Sequence, residues 1–251
     1  MRNIEIRRVN RLEAVDSRGV VIVIDVIRAF TVAAYAFARG ADRLWLVRTV
    51  DEAFALWERE PQALLAGEMR GRLIPGFDFN NSPSLLAAAD VDGRLLIQRT
   101  GAGTQGAVNA VNGSHILLCS LVNTQATALH ALKLADTTEG IVTLLPTESI
   151  DLTDELSEDN ICADYVEALL RGHANASTTL SENIARLEEA GRFDFLKLGD
   201  PDFPIEDLAA IIDIDRFDFV MVGTHKQWKD ITYVEVEKRN MQDVLVSGLS
   251  F

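Results

Sequence analysis

The stretch "GVVIVIDV" (19–26) constrains the fold of this chain more than any other. It is rich in valine and isoleucine with no polar alternation. That is the pattern of a strand covered on both faces, and such strands belong to parallel sheets flanked by helices. The segments that follow keep the same rhythm. "AFTVAAYAFARG" (29–40) reads as an alanine-rich helix ended by Gly40, "DRLWLVRT" (42–49) as a strand, "VDEAFALWERE" (50–60) as a helix and "ALLAGE" (63–68) as a strand. Beyond a long loop come helix, strand, helix and strand at 83–90, 93–100, 104–111 and 114–120, then a helix at 123–135 and a strand at 140–147. Six strand-to-helix steps in 150 residues predict an α/β fold of three layers, α/β/α, around a mostly parallel, mixed sheet. Sheets of this kind hold ligands at the carboxyl ends of their strands.

The last third reads differently. Two amphipathic helices, 158–172 and 180–192, precede two strands, "FDFVMVG" and "ITYVEVE", with "THKQWKD" as the loop between them. No Gly/Pro/Ser linker divides the chain. The expectation is one domain over 1–251, with a division into a β/α region (1–147) and a helical and hairpin part (148–251) left open.

Charge and cysteine usage narrow the function. The net charge is −14, and no Lys/Arg cluster supplies the basic footprint that nucleic-acid binding needs. A small anion remains admissible only if arginine, backbone amides or a metal ion receive it. Cys119 and Cys162 give neither a disulfide framework nor metal-ligand spacing, so a reducing, cytoplasmic setting is expected. The N-terminus lacks a signal-peptide core, and no apolar run approaches the ~20 residues of a membrane span. The four histidines form no zinc pattern.

Four motifs fall at predicted strand ends. In "IDVIRAFT", Asp25 ends a buried strand and Arg28 opens a helix; the two could be a structural pair or part of a site. An aspartyl-phosphate enzyme commonly has a second aspartate two residues on, where this chain has Ile27. In "GEMRGRLIPGFDFNNSP" (67–83), Glu68 ends a strand, Ser82 is a good N-cap and Pro83 a good first helical residue, leaving amides that could take an oxyanion. So long a loop is unusual unless it serves a function or is disordered, and Phe77 and Phe79 argue against disorder. "TGAGTQG" (100–106) matches G-x-G-x-x-G but lacks the acid that a dinucleotide site wants on the next strand, so it reads better as an anion-binding turn. In "TESIDLTDELSEDN" (147–160), Glu158 and Asp159 lead straight into an apolar helix. With Asp25 and Glu68 they would give the oxygen donors that magnesium prefers.

Taken in order, "VVIVIDVIRAFT", "GEMRGRLIPGFDFNNSP", "TGAGTQGA", "LLCSLVNTQA" and "EDNICADYV" resemble the 2-phosphosulfolactate phosphatase family, the ComB-like proteins of coenzyme M biosynthesis, over residues 20 to about 170. The resemblance implies a ComB-like α/β fold and a Mg²⁺-dependent phosphatase that turns a phosphorylated, sulfonated 2-hydroxy acid into 3-sulfolactate and phosphate. Family positions fall on Asp25, Arg28, Glu68, Asp78, Asn81, Ser82, Pro83, Thr100, Gly103, Thr104, Glu158, Asp159 and Cys162. Asp25, Arg28, Glu68 and Asp159 are expected to be catalytic. Arg28, Asn81, Ser82, Thr100, Gly103 and Thr104 are expected to hold substrate, and Asp25, Glu68, Glu158 and Asp159 to hold Mg²⁺. The chain departs from the family in two places: Ala102 stands where members commonly carry asparagine, and "DLTDELSED" replaces a glycine-rich approach to the acidic pair. A divergent hydrolase of another phosphorylated or sulfonated acid, or a non-catalytic small-anion-binding protein, are the alternatives. Trp228 in the C-terminal hairpin could mark a homo-oligomer interface, although hairpin packing is the commoner use of such a residue.

Overall fold

The computed structural model describes residues 4–148 and 150–241. The first three residues, Ser149 of the acidic run and the last ten residues of the expected C-terminal part lie outside them. In chain order the elements are β1 (Glu5–Arg8), β2 (Val20–Ile24), α1 (Ala29–Ala38), β3 (Arg43–Val47), α2 (Val50–Arg59), β4 (Leu64–Met69), β5 (Arg72–Leu73), α3 (Pro83–Ala88), β6 (Leu95–Arg99) and α4 (Gly103–Asn109). They continue with β7 (His115–Cys119), α5 (Thr124–Ala135), β8 (Ile141–Pro146), α6 (Glu158–Leu170), α7 (Ala176–Glu189), α8 (Glu206–Ile211), β9 (Phe219–Trp228) and β10 (Ile231–Asn240). Among the described residues no helix is long and apolar enough to cross a membrane.

All ten strands join one mixed sheet in the order β1-β8-β2-β7-β9-β10-β3-β6-β4-β5, and helices cover both faces, as the alternation predicts. The unbroken apolar run of β2 has its explanation here. Val20, Ile22 and Ile24 pack with Ala128 of α5 and Val166 of α6, whereas Val21 and Val23 pack with Phe30 and Ala33 of α1. A strand between two cores has no face to spare for water. A third cluster, with Trp45, Leu56, Leu65, Phe77 and Ile97, lies under α2.

The C-terminal strands do not form an appendage. The β9–β10 hairpin sits in the middle of the sheet, antiparallel to β7 on one side and to β3 on the other. It also reverses the sense of the sheet, so the parallel block β1-β8-β2-β7 runs opposite to the block β3-β6-β4. Strand twist of about 20–25° per step, accumulated over the six pairings from β2 to β4, turns one block by roughly 120–150°. That rotation lets the carboxyl ends of oppositely running blocks open on one cavity.

Two local expectations are corrected. The segment 224–230 is not all loop: Thr224 to Trp228 continue β9, paired residue by residue with β10, and the chain turns between Trp228 and Ile231 with Lys229 at φ 51°. Nor is 67–83 irregular throughout. Glu68 pairs with Leu73 and Met69 with Arg72 across a two-residue turn, Arg70–Gly71, whose φ values of 56° and 78° are those a tight hairpin requires. Trp228 packs on the third cluster beside Arg59, which is hairpin packing.

Candidate functional site

A cavity of about 320 Å³ opens where β2, β4, β6 and β8 end. Six of the expected site residues line it: Asp25, Arg28, Glu68, Asn81, Thr100 and Glu158. Ala102 lines it too, with Glu148, Arg192, Phe195 and Phe203.

Asp25 follows β2 directly and accepts a hydrogen bond from the Ala29 amide at 2.8 Å, the first turn of α1. Burial, the nearby Asp159 carboxylate and, more weakly, Glu148 and Glu68 push its pKa well above the ordinary range. The turn after β6 presses against it: a Cβ on Gly103 would lie 2.6 Å from Asp25 Oδ2, so only glycine permits this approach. Glu68 ties two loops together, accepting from the Gly71 and Gly101 amides at 2.6 Å each. Asn81 is buried, and its Oδ1 has no hydrogen-bond partner.

Arg28 does not pair with Asp25. Its Nη1 donates to Asp207 Oδ2 at 2.7 Å and to the Asp202 carbonyl at 2.9 Å, and the guanidinium lies over the Phe203 ring, 4.7 Å from its centroid. Arg192, which also lines the cavity, bonds Glu158 Oε2 at 2.7 Å and Glu148 Oε1 at 2.5 Å. Burial and a hydrogen bond with Glu148 push Glu158 well above the usual carboxylate range. Burial raises Glu148 as well, but its bonds to Glu158 and Arg192 outweigh burial and bring it below. The two carboxyl groups are thus shifted in opposite directions beside one arginine.

Other expected residues stand behind the cavity. Asp159 is buried and accepts from the amides of Val26 (2.7 Å), Glu148 (2.9 Å) and Thr147 (3.1 Å), so it fastens the loops after β2 and β8 to α6. Burial raises it to about 6 despite those bonds. Ser82 does cap α3, but the amides there already have an anion: Asp207 Oδ1 accepts from Ser82 Oγ (2.7 Å), Ser84 Oγ (2.6 Å) and the Ser84 amide (3.1 Å). The protein's own carboxylate fills the place expected for a substrate oxyanion. Thr104 is buried and donates to the Thr100 carbonyl at 3.0 Å, Asp78 accepts from the Leu65 amide at 2.8 Å, and Cys162 is buried against Cys119.

The donor chemistry of the cavity suits a hard cation: carboxylate oxygens line it, and two of the carboxyl groups, Asp25 and Glu158, are buried and held above the usual range mainly by that burial. Among the described residues, however, no three His, Cys, Asp or Glu side chains converge as a ready-made ligand cage.

Sequence reasoning missed Glu148, Arg192, Asp207, Phe195 and Phe203. Glu148 had a signal, as the first acid beyond the end of β8. The other four come from 192–207, where nothing local distinguishes them from surface residues.

A family model described as 2-phosphosulpholactate phosphatase matches residues 6–225. The chain is similar to a "Probable 2-phosphosulfolactate phosphatase" of Bacillus subtilis (strain 168), 38% identical over 203 residues, which are 80% of this chain and 85% of the relative. Proteins of the same description from Deinococcus radiodurans and Thermus thermophilus are 40% and 36% identical over 151 and 148 residues. Those matches cover 60% and 59% of this chain and 62% and 61% of the relatives.

Proposed function

Because the chain belongs to the 2-phosphosulpholactate phosphatase family, we propose that it is a phosphoric monoester hydrolase that converts 2-phosphosulfolactate to 3-sulfolactate and phosphate with magnesium, a step of coenzyme M biosynthesis. One observation carries the reading beyond the relatives' names. Residues from four separate strand-end motifs line one cavity, where buried carboxyl groups lie beside an arginine with an unengaged edge.

Magnesium keeps much of its water and is commonly held by one or two carboxylates plus substrate oxygens. Asp25 with either Glu68 or Glu158 would hold the ion, which would supply charge neutralisation at the phosphoryl oxygens when bound. Asp159 is left to position the loops. Arg28 offers a guanidinium already seated on Phe203, and Asn81 and Thr100 offer side-chain groups to the remaining oxygens. Phe195 and Phe203 supply an apolar wall that keeps bulk water from one side. Hydrolysis breaks the bond between phosphorus and the ester oxygen; water adds to phosphorus and the ester oxygen departs with a proton as the 2-hydroxyl.

Purified protein is expected to release phosphate from 2-phosphosulfolactate in a magnesium-dependent manner, and Asp25→Asn to lower kcat about 1000-fold. Unchanged turnover in that variant removes Asp25 from the chemistry. Ala102, which lines the cavity where the family commonly carries asparagine, favours a second reading: hydrolysis of a related phosphorylated or sulfonated acid. A panel of such acids, assayed in parallel, separates the two.

A further inference from the structure

We infer that Asp207 is the positioning residue that aims Arg28 into the cavity, and that through it a residue outside the cavity, on the C-terminal third of the chain, takes part in anion recognition. The inference rests on the reading of the cavity as an anion site.

Asp207 does not itself line the cavity. It is fully buried on α8, and each of its carboxylate oxygens has a separate task. Oδ2 receives Arg28 Nη1 at 2.7 Å. Oδ1 receives Ser82 Oγ, Ser84 Oγ and the Ser84 amide, all within 3.1 Å. One carboxylate therefore joins the loop after β2 to the turn that begins α3, immediately beside Asn81. These are the loops whose Arg28 and Asn81 line the cavity.

The geometry also fixes which part of Arg28 is left for a ligand. Nη1 is consumed by Asp207 and by the Asp202 carbonyl, and one face of the guanidinium is covered by Phe203. Nε and Nη2 have no hydrogen-bond partner among the described residues. A guanidinium fixed at one nitrogen and one face presents a single remaining edge, and a fixed two-nitrogen edge is what bidentate recognition of an oxyanion uses. Phe203 is braced in turn by Arg72, which is 5.4 Å from its centroid and paired with Asp200 and Asp202.

A carboxylate that only held the fold together would act independently of Arg28, so the test is a double-mutant cycle. Asp207→Asn, Arg28→Ala and the double variant are compared on 2-phosphosulfolactate turnover and, by calorimetry with magnesium chloride present, on binding of inorganic phosphate. Asp207→Asn puts an amide N–H or a neutral oxygen opposite Nη1, releasing the anchor while keeping the volume. Its expected effect is an increase of about 30-fold in KM and in the phosphate Kd, the scale of one hydrogen bond to a charged group, with kcat changed far less. In the Arg28→Ala background the same substitution is expected to change either quantity by less than about twofold, because independent sites add and coupled ones do not. Asp207→Glu, which keeps the charge, restores part of the loss. Equal factors in both backgrounds, an Asp207→Asn variant that binds phosphate as the parent does, or a parent that binds none would overturn the inference. Should the parent bind phosphate but leave 2-phosphosulfolactate intact, the proposed substrate fails while the phosphate cycle still decides the role of Asp207.

Discussion

At one end of the cavity Arg28 is paired with Asp207, their side chains 3% and 0% exposed; at the other, Arg192 reaches Glu148 and Glu158 from a side chain that is 37% exposed. Both ends set an arginine against carboxylates, yet water distinguishes them. Behind Arg28 the interaction is unscreened and each partner depends on the other, since a lone buried charge is costly. Around Arg192 solvent reaches the arginine and Glu148, which is 40% exposed, and only Glu158, 1% exposed, is shut away from it. The first arrangement holds a direction; the second tolerates adjustment of charge. The anion site proposed for so acidic a protein would have use for both.

The contrast can be broken most severely at its buried end. Arg28→Ala strands Asp207 and should lower the unfolding free energy by about 3–5 kcal/mol in denaturant titration. A drop under about 1 kcal/mol would put the two ends on an equal footing. Next comes pH, through Asp159 behind the Arg192 end. Asp159 binds its proton more tightly when folded, so its share of stability is present in full below its unfolded value of 3.8 and is lost as pH rises toward about 6. In metal-free buffer the difference in unfolding free energy between the parent and Asp159→Asn should fall by about 3 kcal/mol across that window. Smaller is Gly103→Ala, whose new Cβ would stand 2.6 Å from Asp25 Oδ2 and 2.9 Å from Ala29 Cβ. Displacing the Asp25 carboxylate by about an ångström should reduce kcat/KM by about 100-fold while the far-ultraviolet spectrum is unchanged. Smallest is Arg192→Ala: the arginine is 37% exposed but its partner Glu158 only 1%, so the expected cost lies between those of a surface and a buried pair, about 1–2 kcal/mol, and shrinks as salt is added.

What the sequence reveals follows the range over which each signal acts. The β2 run, the six strand-to-helix steps and the Ser82–Pro83 helix start are local patterns, and each appears where expected. Asp25 was conspicuous because a charge at the mouth of an aliphatic strand is anomalous within its own neighbourhood. Asp207 is not anomalous there: as the second acid of "IEDLAA" it resembles any residue near a helix start, and only packing against a segment some 120 residues earlier exposes its task. Arg192 likewise reads as one more charge after α7. Ser82 shows both sides of the lesson. Its capping role is visible in the sequence, while the occupant of the neighbouring amides is not, because that occupant comes from α8. Strand order is hidden for the same reason, since alternation shows that β9 and β10 are strands and says nothing of their neighbours.

The hairpin's place in the sheet has a bearing on how the molecule is made. A ribosome completes both parallel blocks well before residues 219–240 exist, and until they arrive β7 and β3 each lack a neighbour on one side. While residues 147–218 are being added the nascent chain carries two raw sheet edges, exposed to mispairing with other chains, until β9 and β10 close the gap between them.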